Sequence, residues 1–184
     1  MTQTPHLAMT RHGAEEFPQT RQLLIDIYAE VYADSLGDPF FSLQGFSERL
    51  DAHASASSWE VVIGYDEEEP IGYAYGAALS PRSGWWAGIA PPLDAKFTAE
   101  TGSRTLALFE LMLRAPWRGI GAARRIHDEL LHERSEERVS LGVERDRPKV
   151  RALYESWGYR SVGEERPFPS APVYFLMWRP VRLE

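Results

Sequence analysis

The sequence predicts an α/β (α+β) fold in which helices cover a mixed, mostly antiparallel twisted sheet. Three observations predict it. Two helical stretches come early, a strand–turn–strand hairpin follows, and the rest of the chain alternates strand, helix, strand, helix and strand. A hairpin supplies antiparallel neighbours and a strand–helix–strand unit supplies parallel ones, so the sheet is mixed.

Residues 1–20 read as an irregular start with a short strand near Leu7–Thr10. Over Arg21–Ala33, Leu24, Ile27, Tyr28 and Val31 recur at helical spacing and stack on one face. Gly37, Asp38 and Pro39 end that helix. A shorter helix is expected from Ser47, as N-cap, to about His53, with Phe46 and Leu50 facing inward. Trp59–Tyr65 and Ile71–Leu79 then read as antiparallel strands joined by the acidic turn Asp66–Pro70, whose charges are expected to be solvated and to discourage edge pairing. Residues 80–104 form a connector with Trp85, Trp86, Pro91 and Pro92, long enough to be a lid or to hide a short helix.

Thr105–Arg114 (TLALFELMLR) is the apolar run expected of a strand covered on both faces. A helix follows from about Gly121 to Glu133, with Ala123, Ile126, Leu130 and Leu131 as its inner stripe. Arg138–Glu144 is a strand. Pro148 suits the first turn of a helix running to about Trp157, with Val150, Leu153, Tyr154 and Trp157 inward. Gly158 stops that helix, and Tyr159–Gly163 and Val173–Trp178 close the chain as strands.

At 184 residues the chain is expected to be one domain spanning 1–184. It has no cysteine, which removes disulfide scaffolds, thiolate zinc sites and a cysteine nucleophile. No apolar run approaches a membrane span and the N-terminus has no signal-like segment, so a cytoplasmic protein without a membrane partner is expected. The formal charge is −7, a poor basis for binding nucleic acid. That charge is unevenly placed: residues 1–104 carry −9 and residues 105–184 carry +2.

The most informative stretch is Arg114–Arg125, RAPWRGIGAARR. A buried strand ends, glycines permit a tight turn, and a helix begins. Free backbone N–H groups at a helix start and the helix macrodipole attract anions. Four arginines and no acid lie in the stretch, so a phosphate is the ligand expected. The Lys-Ser or Lys-Thr of a P-loop is missing, because Ala122 and Ala123 follow the glycines. A dinucleotide fingerprint fails as well, since Arg124 stands where its third glycine would be.

Arg118-Gly119-Ile120-Gly121-Ala122-Ala123 resembles the R-x-x-G-x-A signature of the GCN5-related N-acetyltransferases (GNAT). Val150 to Tyr159 is similar to a second motif of that family, a helix carrying a tyrosine and ending in Gly-Phe, here Gly158-Tyr159. The resemblance extends over about residues 5–180. It implies a GNAT fold of about six or seven strands and about four helices. It also implies acetyl-CoA as cosubstrate, with the Arg118–Ala123 loop around the pyrophosphate and Leu111, Met112 and Leu113 along the pantetheine arm. The asparagine that often opens the tyrosine helix falls near Arg147. By the same resemblance, Tyr28 and Tyr32 of the first helix and Trp85 and Trp86 of the connector line the acceptor cleft. A homodimer is compatible with the family, and no interface is specified.

Acetyl transfer needs a neutral amine, a donor for the carbonyl oxygen and a proton for the departing thiolate. The resemblance places the carbonyl donor in the strand backbone around Leu111 or Leu113, and the acid at Tyr154. A phenol with a pKa of about 10 keeps its proton at neutral pH and can give it to a thiolate. The alternative for Tyr154 is an ordinary core tyrosine. Glu110 is the only charged residue in TLALFELML and is the candidate base. A carboxylate there must be paired or face a wet cavity, and burial would raise its pKa into a useful range. Its alternative is a structural ion pair, and Glu144 is a second candidate base. His127 is expected to be structural. His12, His53 and His132 form no ligand spacing with it, and no metal is expected. Without a cysteine, direct attack in a ternary complex on acetyl-CoA by a primary amine is favoured over an acyl-enzyme. A non-catalytic acyl-CoA-binding module of the same fold is the alternative.

Overall fold

A computed structural model describes residues 7–182. The elements are β1 (Leu7–Gly13), α1 (Phe17–Val31), α2 (Leu43–Ala54), β2 (Glu60–Asp66), β3 (Glu69–Ala78), α3 (Ala95–Thr98), β4 (Thr105–Leu113), α4 (Ala122–His132), β5 (Arg138–Glu144), α5 (Pro148–Ser156), β6 (Arg160–Glu165) and β7 (Tyr174–Pro180). The seven strands form one open mixed sheet in the order β1-β2-β3-β4-β5-β7-β6. Pairing is antiparallel except at β4–β5, where Thr105, Leu106 and Ala107 run parallel to Arg138, Val139 and Ser140. This is the mixed, mostly antiparallel sheet that the element order predicts.

Two compact units divide the chain, and β4 contributes to both. Among the described residues, the first contains 7–77 and 109–134. Its core joins Leu24, Ile27 and Tyr28 of α1, Phe46 and Leu50 of α2, Val61, Ile63, Tyr73 and Tyr75 of the hairpin, and Met112 of β4. The helix α1 starts at Phe17 because Pro18 occupies its first turn. Ser42, and not Ser47, caps α2: its side chain accepts from the Gly45 N–H at 3.1 Å. The hairpin turn is tighter than expected, with Glu67 at φ 54° and Asp66 opposite Glu69. Gly72 is required by close approach, since a Cβ there would collide with the Met112 carbonyl oxygen of β4. On β1, Arg11 pairs with Glu60 at 3.1 Å and donates to the Glu129 carbonyl near the end of α4, where a helix favours a cation.

Among the described residues, the second unit contains 78–108 and 135–182. The connector is not a free lid; it holds α3 and is anchored from below. Arg138 and Glu100 form an ion pair at 2.9 Å with side chains 4% and 3% exposed. The Arg138 guanidinium lies over the rings of Trp86 and Phe97, and Glu100 also accepts from Trp86 Nε1 and the Thr105 hydroxyl. Ala90 and Glu164 exchange backbone hydrogen bonds of 2.8 and 3.1 Å, which covers the edge of β6. Val150 and Leu153 of α5 are exposed at 40% and 44%, so only Tyr154 and Trp157 of the expected stripe turn inward. Among the described residues, no helix is long and apolar enough to cross a membrane.

Candidate active site

On the first unit, β4 ends at Leu113, a single 3-10 turn follows, and Gly119 and Gly121 carry the chain into α4 at φ 80° and 82°. Gly121 is the N-cap of α4 in the left-handed region, which a side chain would strain. A glycine cap brings no side chain to the first N–H groups of α4, and such groups suit an anion.

The four arginines of this stretch are not equivalent. Arg114 lies against Glu30 at 2.9 Å and Glu69 at 3.4 Å, and donates to the Pro70 carbonyl. Arg124 pairs with Asp128 at 2.7 Å. Arg125 reaches the Leu7 carbonyl, and Arg118, exposed on the loop, donates through Nε to the Leu113 carbonyl at 3.1 Å. Acids distant in sequence therefore neutralise part of the charge that the sequence places here, and Arg118 is the arginine presented on the loop itself. Two acids of the hairpin turn have a second job. Asp66 accepts from Trp117 Nε1 at 2.9 Å, and Glu69 meets Arg114, so the hairpin braces the approach to the glycine turn.

Leu111, Met112 and Leu113 end β4 beside Ile71 and Gly72; the Arg114 N–H donates to the Ile71 carbonyl at 2.8 Å. Phe109 and Met112 pack on the same core cluster although strict alternation would put them on opposite faces. Glu110 sits where that alternation breaks. Its carboxylate raises the phenols of both Tyr73 and Tyr75, second only to their burial. Glu110 itself is half-buried.

Tyr28 and Tyr32 stack at 4.6 Å and share a face of α1, as their spacing requires. Tyr28 is buried against Phe46 at 3.8 Å and donates to the Phe41 carbonyl, whereas Tyr32 is half-buried and stacks on Phe41. His53 lies flat on Phe109, with ring centroids 3.7 Å apart, and its Nδ1 is 3.3 Å from the Tyr75 hydroxyl. Burial, with the charge of Arg49, pushes the His53 imidazole down to about 4. The sequence marks this residue only as the approximate end of the second helix and as part of no ligand spacing.

On the second unit, Tyr154 is 9% exposed and meets Trp157 and Tyr159 edge-on at 5.2 and 5.4 Å. Arg147 is the N-cap of α5 and lies 3.7 Å from Glu144, whose carboxyl burial pushes up. Trp85 is half-buried and donates to the Ser140 hydroxyl at 2.9 Å, while Trp86 is buried in the Glu100–Arg138 cluster. His127 is fully buried, 2.8 Å from Asp128. Among the described residues, no group of His, Asp and Glu has the arrangement of a metal site.

The sequence model of the acetyltransferase (GNAT) family matches residues 17–159. A comparison with curated proteins gives no match. Solved structures are similar over nearly the whole chain. A GNAT-family protein from Desulfovibrio desulfuricans is 15% identical, with a TM-score of 0.65 over 96% of this chain and 99% of its own. Aminoglycoside 6'-acetyltransferase type Ii is 16% identical, with a TM-score of 0.64 over 96% and 99%. The PaiA N-acetyltransferase of Thermoplasma acidophilum, solved in complex with coenzyme A, is 11% identical, with a TM-score of 0.56 over 95% and 98%. At these identities the likeness is one of fold.

Proposed function

The chain belongs to the acetyltransferase (GNAT) family, and on that premise we propose that it moves an acetyl group from acetyl-CoA to a primary amine by direct attack. The observation that carries the proposal is the glycine turn at the start of α4. Gly119 and Gly121 at positive φ, a helix start without a side-chain cap, and exposed Arg118 together suit a pyrophosphate. A fold neighbour that holds coenzyme A supports the same ligand.

In this reading the backbone of Leu111–Leu113 holds the pantetheine arm and supplies an N–H to the carbonyl oxygen as negative charge develops. The loop Arg118–Ala123 holds the pyrophosphate. Glu110 takes a proton from the acceptor's ammonium, and the neutral amine attacks the thioester carbon. The tetrahedral intermediate expels the CoA thiolate, which Tyr154 protonates, and the extra proton on the new amide nitrogen leaves to solvent, from which the Tyr154 phenol is restored. By the family resemblance alone, Tyr28, Tyr32, Trp85 and Trp86 are assigned to the acceptor. A cytoplasmic location fits a supply of acetyl-CoA.

The test is calorimetry with acetyl-CoA, followed by a free-thiol assay over a panel of primary amines. Wild-type protein should bind acetyl-CoA and Arg118→Glu should bind it more weakly. Absence of wild-type binding overturns the proposal. Binding without thiol release from any amine would instead favour a non-catalytic acyl-CoA module.

A further inference from the structure

Glu165 of β6, in the second unit, is a half-buried acid. Among the described residues its carboxylate has no ion pair, and burial alone pushes it up, with no charged group acting on it. Other acids of this unit have cations: Glu164 meets Arg145 at 3.5 Å, Glu144 meets Arg147 at 3.7 Å and Glu100 meets Arg138 at 2.9 Å. A carboxylate taken partly from water without a cation is unfavourable, and a cation brought against it would offset that cost.

The sheet register shows what surrounds it. Glu165 stands directly opposite Tyr174 of β7, and Tyr174 stands directly opposite Glu144 of β5. Directly opposed residues of antiparallel strands point to one face, so the Tyr174 ring rises between two carboxylates. Neighbouring strands are about 4.8 Å apart, which sets the two acids about 10 Å apart at the backbone, too far to share a proton. Gly142 lies on the same face, two residues before Glu144, and is exposed although β5 is an interior strand. A Cβ there would lie 3.4 Å from Cδ1 of Tyr174, so the glycine leaves uncovered a part of the ring that any other residue would cover. The connector passes at the other side: a Cβ on Gly88 would lie 3.6 Å from Oε2 of Glu165. Trp85 of the same connector stands on this face too, bonded to the Ser140 hydroxyl two residues before Gly142. The result is a recess with Gly142 and Tyr174 as floor, the connector as wall and Glu165 at its side.

We propose that Glu165 is a specificity-determining residue: its carboxylate receives a second positive charge of the acceptor beside the Tyr174 ring, and so selects diamines and longer oligoamines over monoamines. The inference rests on the transferase reading, in which the family resemblance sets Trp85 toward the acceptor. An ammonium in the recess gains a charge-assisted hydrogen bond from the carboxylate and the attraction of an aromatic ring. A monoamine leaves Glu165 without a cation, and an acceptor bearing a carboxylate is repelled by it.

The full-length protein tests this first without turnover. Straight-chain α,ω-diamines of about three to eight carbons, and monoamines of the same lengths, are added to glutamate-labelled protein. Carbon-13 spectra follow the carboxyls, with Glu165 assigned by Glu165→Gln, and nitrogen-15 amide spectra read binding in every variant. At the best length the diamine should shift the Glu165 carboxyl, lower its titration midpoint and bind about tenfold more tightly than the monoamine, the scale of one charge-assisted hydrogen bond. Glu165→Gln should bring that ratio close to one, and Glu165→Asp, which keeps the charge, should retain most of it. In the thiol-release assay the same preference should appear in KM more than in kcat. Equal affinity for diamine and monoamine at every length, or a diamine preference undiminished in Glu165→Gln, overturns the inference. Failure of the transferase reading would appear separately, as absence of acetyl-CoA binding and thiol release while the Glu165 carboxyl still distinguishes diamine from monoamine.

Discussion

Trp117 donates its indole N–H to Oδ2 of Asp66 at 2.9 Å, joining the turn before the glycine loop to the tip of the β2–β3 hairpin. Glu69, at the other side of the same tip, meets Arg114 at 3.4 Å. A loop that binds through backbone N–H groups has affinity only if those groups already point at one place. Asp66→Ala frees the indole and removes one of the two braces. CoA binding should weaken about three- to tenfold, the range of one ordinary protein hydrogen bond. Calorimetry of wild-type and variant protein checks this, and an unchanged dissociation constant would remove the brace from the account.

Tyr154→Phe separates chemistry from packing. The ring contacts Trp157 and Tyr159 edge-on, and a phenylalanine preserves those contacts. Loss of the hydroxyl should lower kcat by about 100-fold or more, the scale of a lost general acid, while acetyl-CoA affinity stays near the wild-type value. Turnover at the wild-type rate would show that the thiolate is protonated elsewhere.

Periodicity and glycine placement made the order of strands and helices legible, along with the turn into α4, because these signals are local. What was not legible depends on residues far apart in sequence. Nothing near Arg114 announces Glu30 and Glu69 as its partners, so the stretch reads as more basic than it is. Val150 and Leu153 match the helical stripe of α5 yet stay exposed, because a short helix buries a narrower face than its apolar residues define. Ser42 and Ser47 are both plausible caps by composition; the first wins because Phe46 and Leu50 then lie on the inner face with a full turn before them. Glu110 stood out as a lone charge in an apolar strand, but its electrostatic effect on Tyr73 and Tyr75 depends on residues of another strand.

The Arg138–Glu100 pair is the strongest stability prediction. Both side chains are nearly inaccessible, and burial pushes the Arg138 guanidinium down while Glu100 opposes that shift. Arg138→Ala would leave the Glu100 carboxylate buried beside Trp86 and Thr105 without its cation. Removal of one member of such a pair costs about 3–5 kcal/mol. Denaturant unfolding should register that loss, together with greater protease sensitivity of the connector at residues 80–104. A variant as stable as wild type would mean that Trp86 and Phe97 suffice to hold the connector.

His53 also makes a prediction for acid stability. In the unfolded chain its imidazole titrates at about 6.5, and in the folded protein burial lowers it to about 4. Between those values the unfolded state binds a proton that the folded state refuses, so stability falls as pH drops through that window and levels off below it. The contribution is fully present above pH 6.5, and its loss amounts to at most about 3 kcal/mol by pH 4. Ordinary carboxylates titrate near the lower end, so the histidine contributes most clearly in the upper half of the window, from about pH 6.5 to 5. Urea unfolding at half-unit pH steps should show this decline in wild type. His53→Phe retains the stack on Phe109 and has no imidazole at this position, so its decline from pH 7 to 5 should be smaller than that of wild type. An equal decline in both proteins would assign the effect to another group.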